Sequence, residues 1–166
     1  MIVSACLLGL NCRYDGGNVK SDELIKAIED RCVIPICPEQ LGGLPTPRES
    51  CEIVGGDGFD VLKGKTRVLS KSGVDYTENF VKGAKEVLKI VKAFRIKLAI
   101  LKDLSPSCGV KKIYDGTFSG KTKVGVGVTT ALLKLNGVEV FTVEEFLNKE
   151  RRDLSYGREQ DHHVMW

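Results

Sequence analysis

Three features that mark common classes of protein are absent from this sequence. No apolar run approaches the roughly 18 residues that a membrane-spanning helix needs, so a transmembrane segment is not expected. The N-terminus has neither a basic flank nor a small-residue cleavage site, which predicts a cytoplasmic protein. With 25 basic and 22 acidic residues, the chain lacks the dense basic stripe of most nucleic-acid-binding proteins.

The six cysteines form no CxxC pair, the spacing that is typical of zinc ribbons and fingers. A chain of 166 residues with 42% hydrophobic residues can fold as one domain without disulfide bonds, and the cytosol is reducing. We therefore interpret the cysteines as thiols available to a metal or to catalysis. Any metal site would have to be assembled by the fold, because no local pair of thiols could hold the metal.

Alternating β and α segments predict a single-domain, three-layer α/β fold. Four short apolar runs predict strands: Ile2–Ala5, Arg31–Ile36, Lys97–Leu101 and Val138–Phe141. Helices are predicted from Ser21, from Asp75 or Thr77 to about Phe94 (the longest), from Thr129 or Thr130 to Leu135, and after Thr142. This order predicts a mainly parallel sheet with helices on both faces.

Two segments depart from the alternation. Phe59–Val61 and Arg67–Leu69 flank the sequence LKGKT and predict a small inserted β-hairpin. The segment that follows Ile36 carries three of the five prolines, which predicts a rigid loop without a regular helix or central strand.

The C-terminal residues 151–166 are polar and predict a solvated tail beyond a domain at 1–150. This tail includes His162 and His163.

Three cysteines follow predicted strands in the same way. Cys6, Cys37 and Cys108 each lie beyond an apolar run, and the carboxyl ends of strands are where ligands bind in open α/β sheets. A single cysteine in such a place is more often a small buried hydrophobic residue. Three thiolates without a fourth cysteine or histidine in a similar context favour an iron–sulfur cluster with one open iron, because complete clusters normally take four protein ligands. An open metal site is typical of catalysis.

The other three cysteines are weaker candidates. Cys12 and Cys51 lie in predicted loops that can approach the same pocket, whereas Cys32 opens a strand and is expected in the core.

Six ordered motifs resemble domain-of-unknown-function family 523, the family of the thiouracil desulfidases. They cover the chain to about Phe146: SACLLG at 4–9, RYDGG at 13–17, CPE at 37–39, GGLPTPR at 42–48, SPSCG at 105–109 and YDGTFSG at 114–120. The resemblance implies a Rossmann-like fold and a [4Fe–4S] cluster held by Cys6, Cys37 and Cys108. It also implies a catalytic Glu39 and a catalytic serine, either Ser107 or Ser105.

The reaction implied is a non-redox, hydrolytic removal of sulfide from thiolated uracil, thiouridine or its nucleotide. A soft thiocarbonyl sulfur suits an open, Lewis-acidic iron, and water then attacks the ring carbon. We expect Glu39 to act as general base or acid and a serine hydroxyl to relay or position the proton.

Substrate contacts are predicted in three places. Arg13 and Arg48 could bind a nucleotide phosphate or a pyrimidine carbonyl, or simply tie loops together, and Asp15 lies beside Arg13 in a turn-rich loop. The glycine-rich segment with Gly125, Gly127 and Thr129 could bind an anion at a helix N-terminus, or form a tight strand-to-helix turn.

Two alternatives stay open. One is a non-catalytic iron–sulfur or zinc module that binds a nucleotide or a partner protein. The other is a desulfidase that acts on thiolated tRNA, which the lack of an added basic or aromatic RNA platform disfavours. The sequence suggests a monomer or small homo-oligomer.

Overall fold

The computed structural model describes residues 1–161. The strands are β1 (Ile2–Ser4), β2 (Ile34–Ile36), β3 (Cys51–Val54), β4 (Arg67–Ser70), β5 (Leu98–Ile100), β6 (Lys112–Tyr114), β7 (Thr122–Val124) and β8 (Glu139–Phe141). The helices are α1 (Asp22–Ile28), α2 (Pro38–Leu41), α3 (Gly58–Leu62), α4 (Thr77–Ala93), α5 (Val128–Leu135) and α6 (Val143–Asp161). A 3₁₀ helix at Ala5–Leu8 follows β1.

The centre of the fold is a four-stranded parallel sheet in the order β2-β1-β5-β8. Helices α1 and α6 contribute Leu24 and Phe146 to the core on one face. Helices α4 and α5 contribute Val87 and Leu133 to the core on the other face. Strands covered on both faces are typically buried and mainly apolar, and all three residues of β1 are buried. The predicted three-layer α/β architecture is therefore confirmed.

The predicted hairpin around LKGKT is wrong in its first strand. Residues 59–61 lie in α3, where the Asp57 side chain accepts the Phe59 N–H and Asp60 accepts the Asp57 N–H in a capping box. These caps favour a helical turn over a short apolar strand. The second segment does form a strand, but β4 pairs antiparallel with β3 upstream. A second antiparallel pair, β6 and β7, follows the SPSCG motif.

The proline-rich segment is not entirely irregular, because Pro38–Leu41 forms the one-turn helix α2. Pro38 is tolerated in the first turn, where its missing N–H would have no helical partner. Cys37 caps this helix, so the turn begins directly at the end of β2.

The last helix, not α4, is the longest. Helix α6 has 19 residues against 17 in α4. It begins as predicted, because the Thr142 hydroxyl accepts the Glu145 N–H while the Glu145 carboxylate accepts the Thr142 N–H. The helix runs on past residue 150 to Asp161, whereas His162 and His163 lie outside the described residues. Among the described helices, none combines the length and the apolar character needed to cross a membrane.

Candidate active site

Three neighbouring parallel strands end at the same edge of the sheet, and each leads to one of the predicted cysteines. Cys6 lies in the 3₁₀ helix after β1, Cys37 caps α2 after β2, and Cys108 lies in the loop after β5. All three line one cavity of about 310 Å³. Convergence at the carboxyl ends of the strands is therefore a property of the fold.

The three thiols lie close enough to affect one another electrostatically. Burial raises the pKa of the Cys108 thiol to about 12 despite hydrogen bonds with Ser4 and Ser107, and Cys6 and Cys37 add to the increase. Burial and then Cys37 also raise the pKa of the Cys6 thiol. Within residues 1–161, no three Cys, His, Asp or Glu side chains are placed to hold a single metal ion.

Glu39 and Ser107 form a hydrogen-bonded pair in the same cavity. Ser107 Oγ donates to Glu39 Oε1 at 3.2 Å and lies 3.6 Å from Cys108 Sγ. The other carboxylate oxygen, Oε2, is 2.6 Å from two nitrogens of Arg48. A carboxylate and a hydroxyl of this kind can accept and relay a proton next to a thiol.

The second serine of the motif supports the backbone. Ser105 Oγ accepts the N–H groups of Ser107 at 3.2 Å and Cys108 at 3.0 Å. Its hydroxyl is also 3.2 Å from Ser107 Oγ. Ser105 lines the cavity, but its main contacts shape the loop that carries Cys108.

The N-terminus of α5 supports the loop that carries Cys108. The N–H groups of Val128 and Thr129 donate to the carbonyl oxygens of Pro106 and Ser107, both at 2.9 Å. A Cβ atom on Gly127 would lie 2.4 Å from the Ser107 carbonyl carbon, so only glycine allows this approach.

Not every predicted substrate contact reaches the cavity. Arg13 and Arg48 line it, but four others do not: Asp15, Gly125, Gly127 and Thr129. Asp15 accepts the Gly17 N–H at 2.9 Å and lies 3.6 Å from Arg13.

The remaining cysteines separate into two groups. Cys12 and Cys51 line the cavity, as the sequence suggested, and burial raises the pKa of each thiol to about 12. Cys32 is exposed rather than in the core. The reason is that β2 begins only at Ile34, so Cys32 lies in the exposed segment that precedes it.

The cavity residues that were not anticipated from the sequence include Lys102, Glu52 and Tyr114. Lys102 lies two residues beyond the end of β5, a position that could have identified it. Burial and then Arg13 lower the pKa of the Lys102 ammonium group. Glu52 is buried and accepts the N–H groups of Gly116 and Phe118, which ties the YDGTFSG loop to the cavity rim. The available signal was a charged residue, Glu52, within the otherwise uncharged sequence of β3.

Comparisons with known proteins find a matching family, a related sequence and a related structure. The sequence profile of the 2-thiouracil desulfurase family matches residues 1–145. The chain is 46% identical over 145 residues to the uncharacterized protein YbbK of Bacillus subtilis (strain 168), covering 87% of this chain and 96% of YbbK. It is similar to the solved structure of the [4Fe-4S]-dependent thiouracil desulfidase TudS, with a TM-score of 0.77 and 42% identity. That match covers 94% of this chain and 97% of TudS. From the family profile, the identities and the shared fold, we conclude that this chain belongs to the 2-thiouracil desulfurase family.

Proposed function

We propose that this protein is a [4Fe–4S]-dependent enzyme that removes sulfur from thiolated uracil, or from its nucleoside or nucleotide, and releases sulfide. The observation that carries the proposal is a single cavity that is lined by three strand-end thiols and by a hydrogen-bonded carboxylate and hydroxyl. Membership of the desulfurase family and similarity to TudS support the same activity.

The donor set fits the cluster. Cys6, Cys37 and Cys108 would hold it, since they come from three adjacent strand ends and share one cavity. When bound, the cluster supplies a Lewis-acidic iron with an open position for a soft sulfur atom.

The protein's own residues would supply the proton chemistry. The overall reaction replaces C=S by C=O, consumes one water and releases hydrogen sulfide. Glu39 Oε1 accepts the proton of the attacking water, either directly or through Ser107 Oγ, which lies 3.2 Å away. Lys102, half-buried at the same cavity, adds a cationic group near Cys6 and Cys108.

The location and the partners belong to the same proposal. Six free cysteines suit a reducing cytoplasm. A cavity of about 310 Å³ suits a small pyrimidine better than a folded RNA. We therefore favour free thiouracil, thiouridine or its nucleotide as substrate over thiolated tRNA, and a monomer or small homo-oligomer as the active form.

Anaerobic purification followed by iron and acid-labile sulfide analysis tests the cofactor. Sulfide release from thiouracil, thiouridine monophosphate and thiolated tRNA then tests the substrate. We expect Glu39→Gln to keep the cluster and lose turnover by roughly 100-fold or more, because a proton acceptor is removed. The matched control is Glu144→Gln on the exposed face of α6, which should retain activity. A cluster-loaded Glu39→Gln variant with full turnover would instead favour a site in which Glu39 has no chemical role.

A further inference from the structure

Each of the three nitrogens of the Arg48 guanidinium group donates at least one hydrogen bond. Nε and Nη2 both lie 2.6 Å from Glu39 Oε2. Nη2 also donates to the Cys12 carbonyl at 3.0 Å, and Nη1 donates to the Pro45 carbonyl and to Thr46 Oγ1, both at 3.1 Å. Four of these contacts are hydrogen bonds, and the distance between Nη2 and Glu39 Oε2 is that of an ion pair.

This arrangement leaves Arg48 poorly suited to bind a substrate. Its side chain is only 7% exposed, and a ligand would have to replace an existing hydrogen bond. Arg13, which lines the same cavity, is 27% exposed and has a longer contact of 3.6 Å to Asp15. Of the two arginines, Arg13 is therefore the one available to a ligand.

The contacts of Arg48 restrict Glu39. Two nitrogens hold Oε2, so rotation of the carboxylate would break both contacts at once. Oε1 is thereby directed at Ser107 Oγ. The Glu39 side chain is itself only 14% exposed, which reduces competition from water.

Arg48 also links the loops that follow β1 and β2. Its backbone N–H donates to the Tyr14 carbonyl at 2.8 Å, and its side chain reaches the Cys12 carbonyl. Those loops follow Cys6 and Cys37 along the chain. The same side chain thus sets the distance between the Glu39 segment and the loop after β1.

We propose that Arg48 is a positioning residue that acts through Glu39, fixing its carboxylate for proton transfer, and not a substrate ligand. The inference rests on the proposed desulfidase function. Two nitrogens of one planar guanidinium group contact the Glu39 carboxylate. Lysine cannot reproduce this geometry, because its ammonium group presents a single point charge.

The first experiment is a double-mutant cycle on the cluster-loaded enzyme with Arg48→Lys and Glu39→Ala, using thiouracil as substrate. Misplacing a catalytic group by about 1 Å can cost roughly 100-fold, so we expect Arg48→Lys to lower kcat by about 10- to 100-fold. KM should change by less than about threefold, because uniform substrate binding is untouched. In the Glu39→Ala background, Arg48→Lys should change kcat by less than about twofold.

Two results overturn the inference. One is an Arg48→Lys variant with a raised KM and an unchanged kcat. The other is a double variant whose loss of kcat equals the product of the losses in the two single variants. Arg13→Lys serves as the comparison, since any effect it has should appear in KM and should be independent of Glu39. Iron content and cluster absorbance are measured for every variant.

A second measurement needs neither cluster nor activity. Urea unfolding of the metal-free protein gives the free energy of unfolding of the same single and double variants. If Arg48 holds Glu39, we expect the two substitutions to lower this free energy non-additively. Additive losses in this cycle also overturn the inference. If wild-type protein releases no sulfide from any thiolated pyrimidine, the proposed function fails, while the unfolding cycle still decides whether Arg48 and Glu39 are coupled.

Discussion

Gly83 of α4 lies directly against Pro38 of α2, so that a Cβ atom on Gly83 would be 1.9 Å from the Pro38 carbonyl oxygen. The contact continues at Gly42, whose carbonyl accepts a hydrogen bond from the Asn79 side chain at 2.9 Å. Helix α4 therefore supports the short helix that carries Glu39.

Gly83→Ala should displace α2 although alanine is the better helix former. We expect the clash to outweigh the gain in helix propensity and to lower the free energy of unfolding by about 1–3 kcal/mol. Turnover should fall as well, because Glu39 moves with its helix. Lys82→Ala, on the exposed side of α4, is the control and should stay within about 0.5 kcal/mol of wild type by urea unfolding.

Serine substitutions of the six cysteines identify the cluster ligands. Cys6→Ser, Cys37→Ser and Cys108→Ser should each lose most of the iron, because a hydroxyl is a poor replacement for a thiolate. Cys32→Ser, at the surface, is the control. Cys12→Ser and Cys51→Ser should keep their iron, and loss of iron in either one would contradict our choice of ligands.

The two serines of SPSCG should respond differently to alanine. Ser107→Ala removes the hydroxyl that donates to Glu39 and should lower kcat by roughly 100-fold. Ser105→Ala removes the acceptor for two backbone N–H groups and should cost about 1 kcal/mol of stability, as the loss of a capping hydroxyl does. Steady-state kinetics and urea unfolding of both variants test the distinction, and equal effects on kcat would refute it.

Asp103 should make the Cys108 loop sensitive to acid. Burial raises the pKa of the Asp103 carboxyl, but hydrogen bonds from the N–H groups of Lys111, Lys112 and Val110 outweigh it and bring the pKa below the ordinary 3.8. Because the folded-state pKa is the lower one, the carboxylate stabilises the fold above pH 3.8, and this contribution is lost as the pH falls through the folded-state value.

Asp103→Asn should therefore destabilise the protein near pH 7 by roughly 1 kcal/mol, a figure that allows for solvent screening. The difference between variant and wild type should shrink toward pH 3. Urea unfolding between pH 3 and pH 7 measures this difference. A difference that does not change with pH would contradict a stabilising role for the negative charge of Asp103.

Thr129 offers a test of the predicted anion site. Its Oγ1 atom is buried and has no hydrogen-bond partner within the described part of the chain. Thr129→Val removes this unpaired hydroxyl at nearly constant volume and should raise the free energy of unfolding by about 1 kcal/mol. If the predicted anion site at this helix N-terminus instead includes the Thr129 hydroxyl, the variant should show a raised KM.

Much of the candidate site could be predicted because its residues lie in short motifs that follow strands. Cys6, Cys37 and Cys108 were placed together from their position after apolar runs, since parallel strands bring their carboxyl ends to one edge. The hairpin around LKGKT was misassigned because a capping box, and not the apolar run, decided the local conformation. Strand β4 pairs with β3, which lies upstream in the chain, and a local sequence pattern cannot specify such a pairing.

The sequence by itself determined the alternation of strands and helices, the parallel sheet and the strand-end position of the thiols, because periodicity and chain order are local properties. Only the tertiary structure decided which charged groups face one another. It joined Arg48 to Glu39, tied Glu52 to the YDGTFSG loop and directed the N–H groups of α5 to the Cys108 loop. These contacts depend on the distance between segments far apart in sequence, which is fixed by how the helices pack on the sheet.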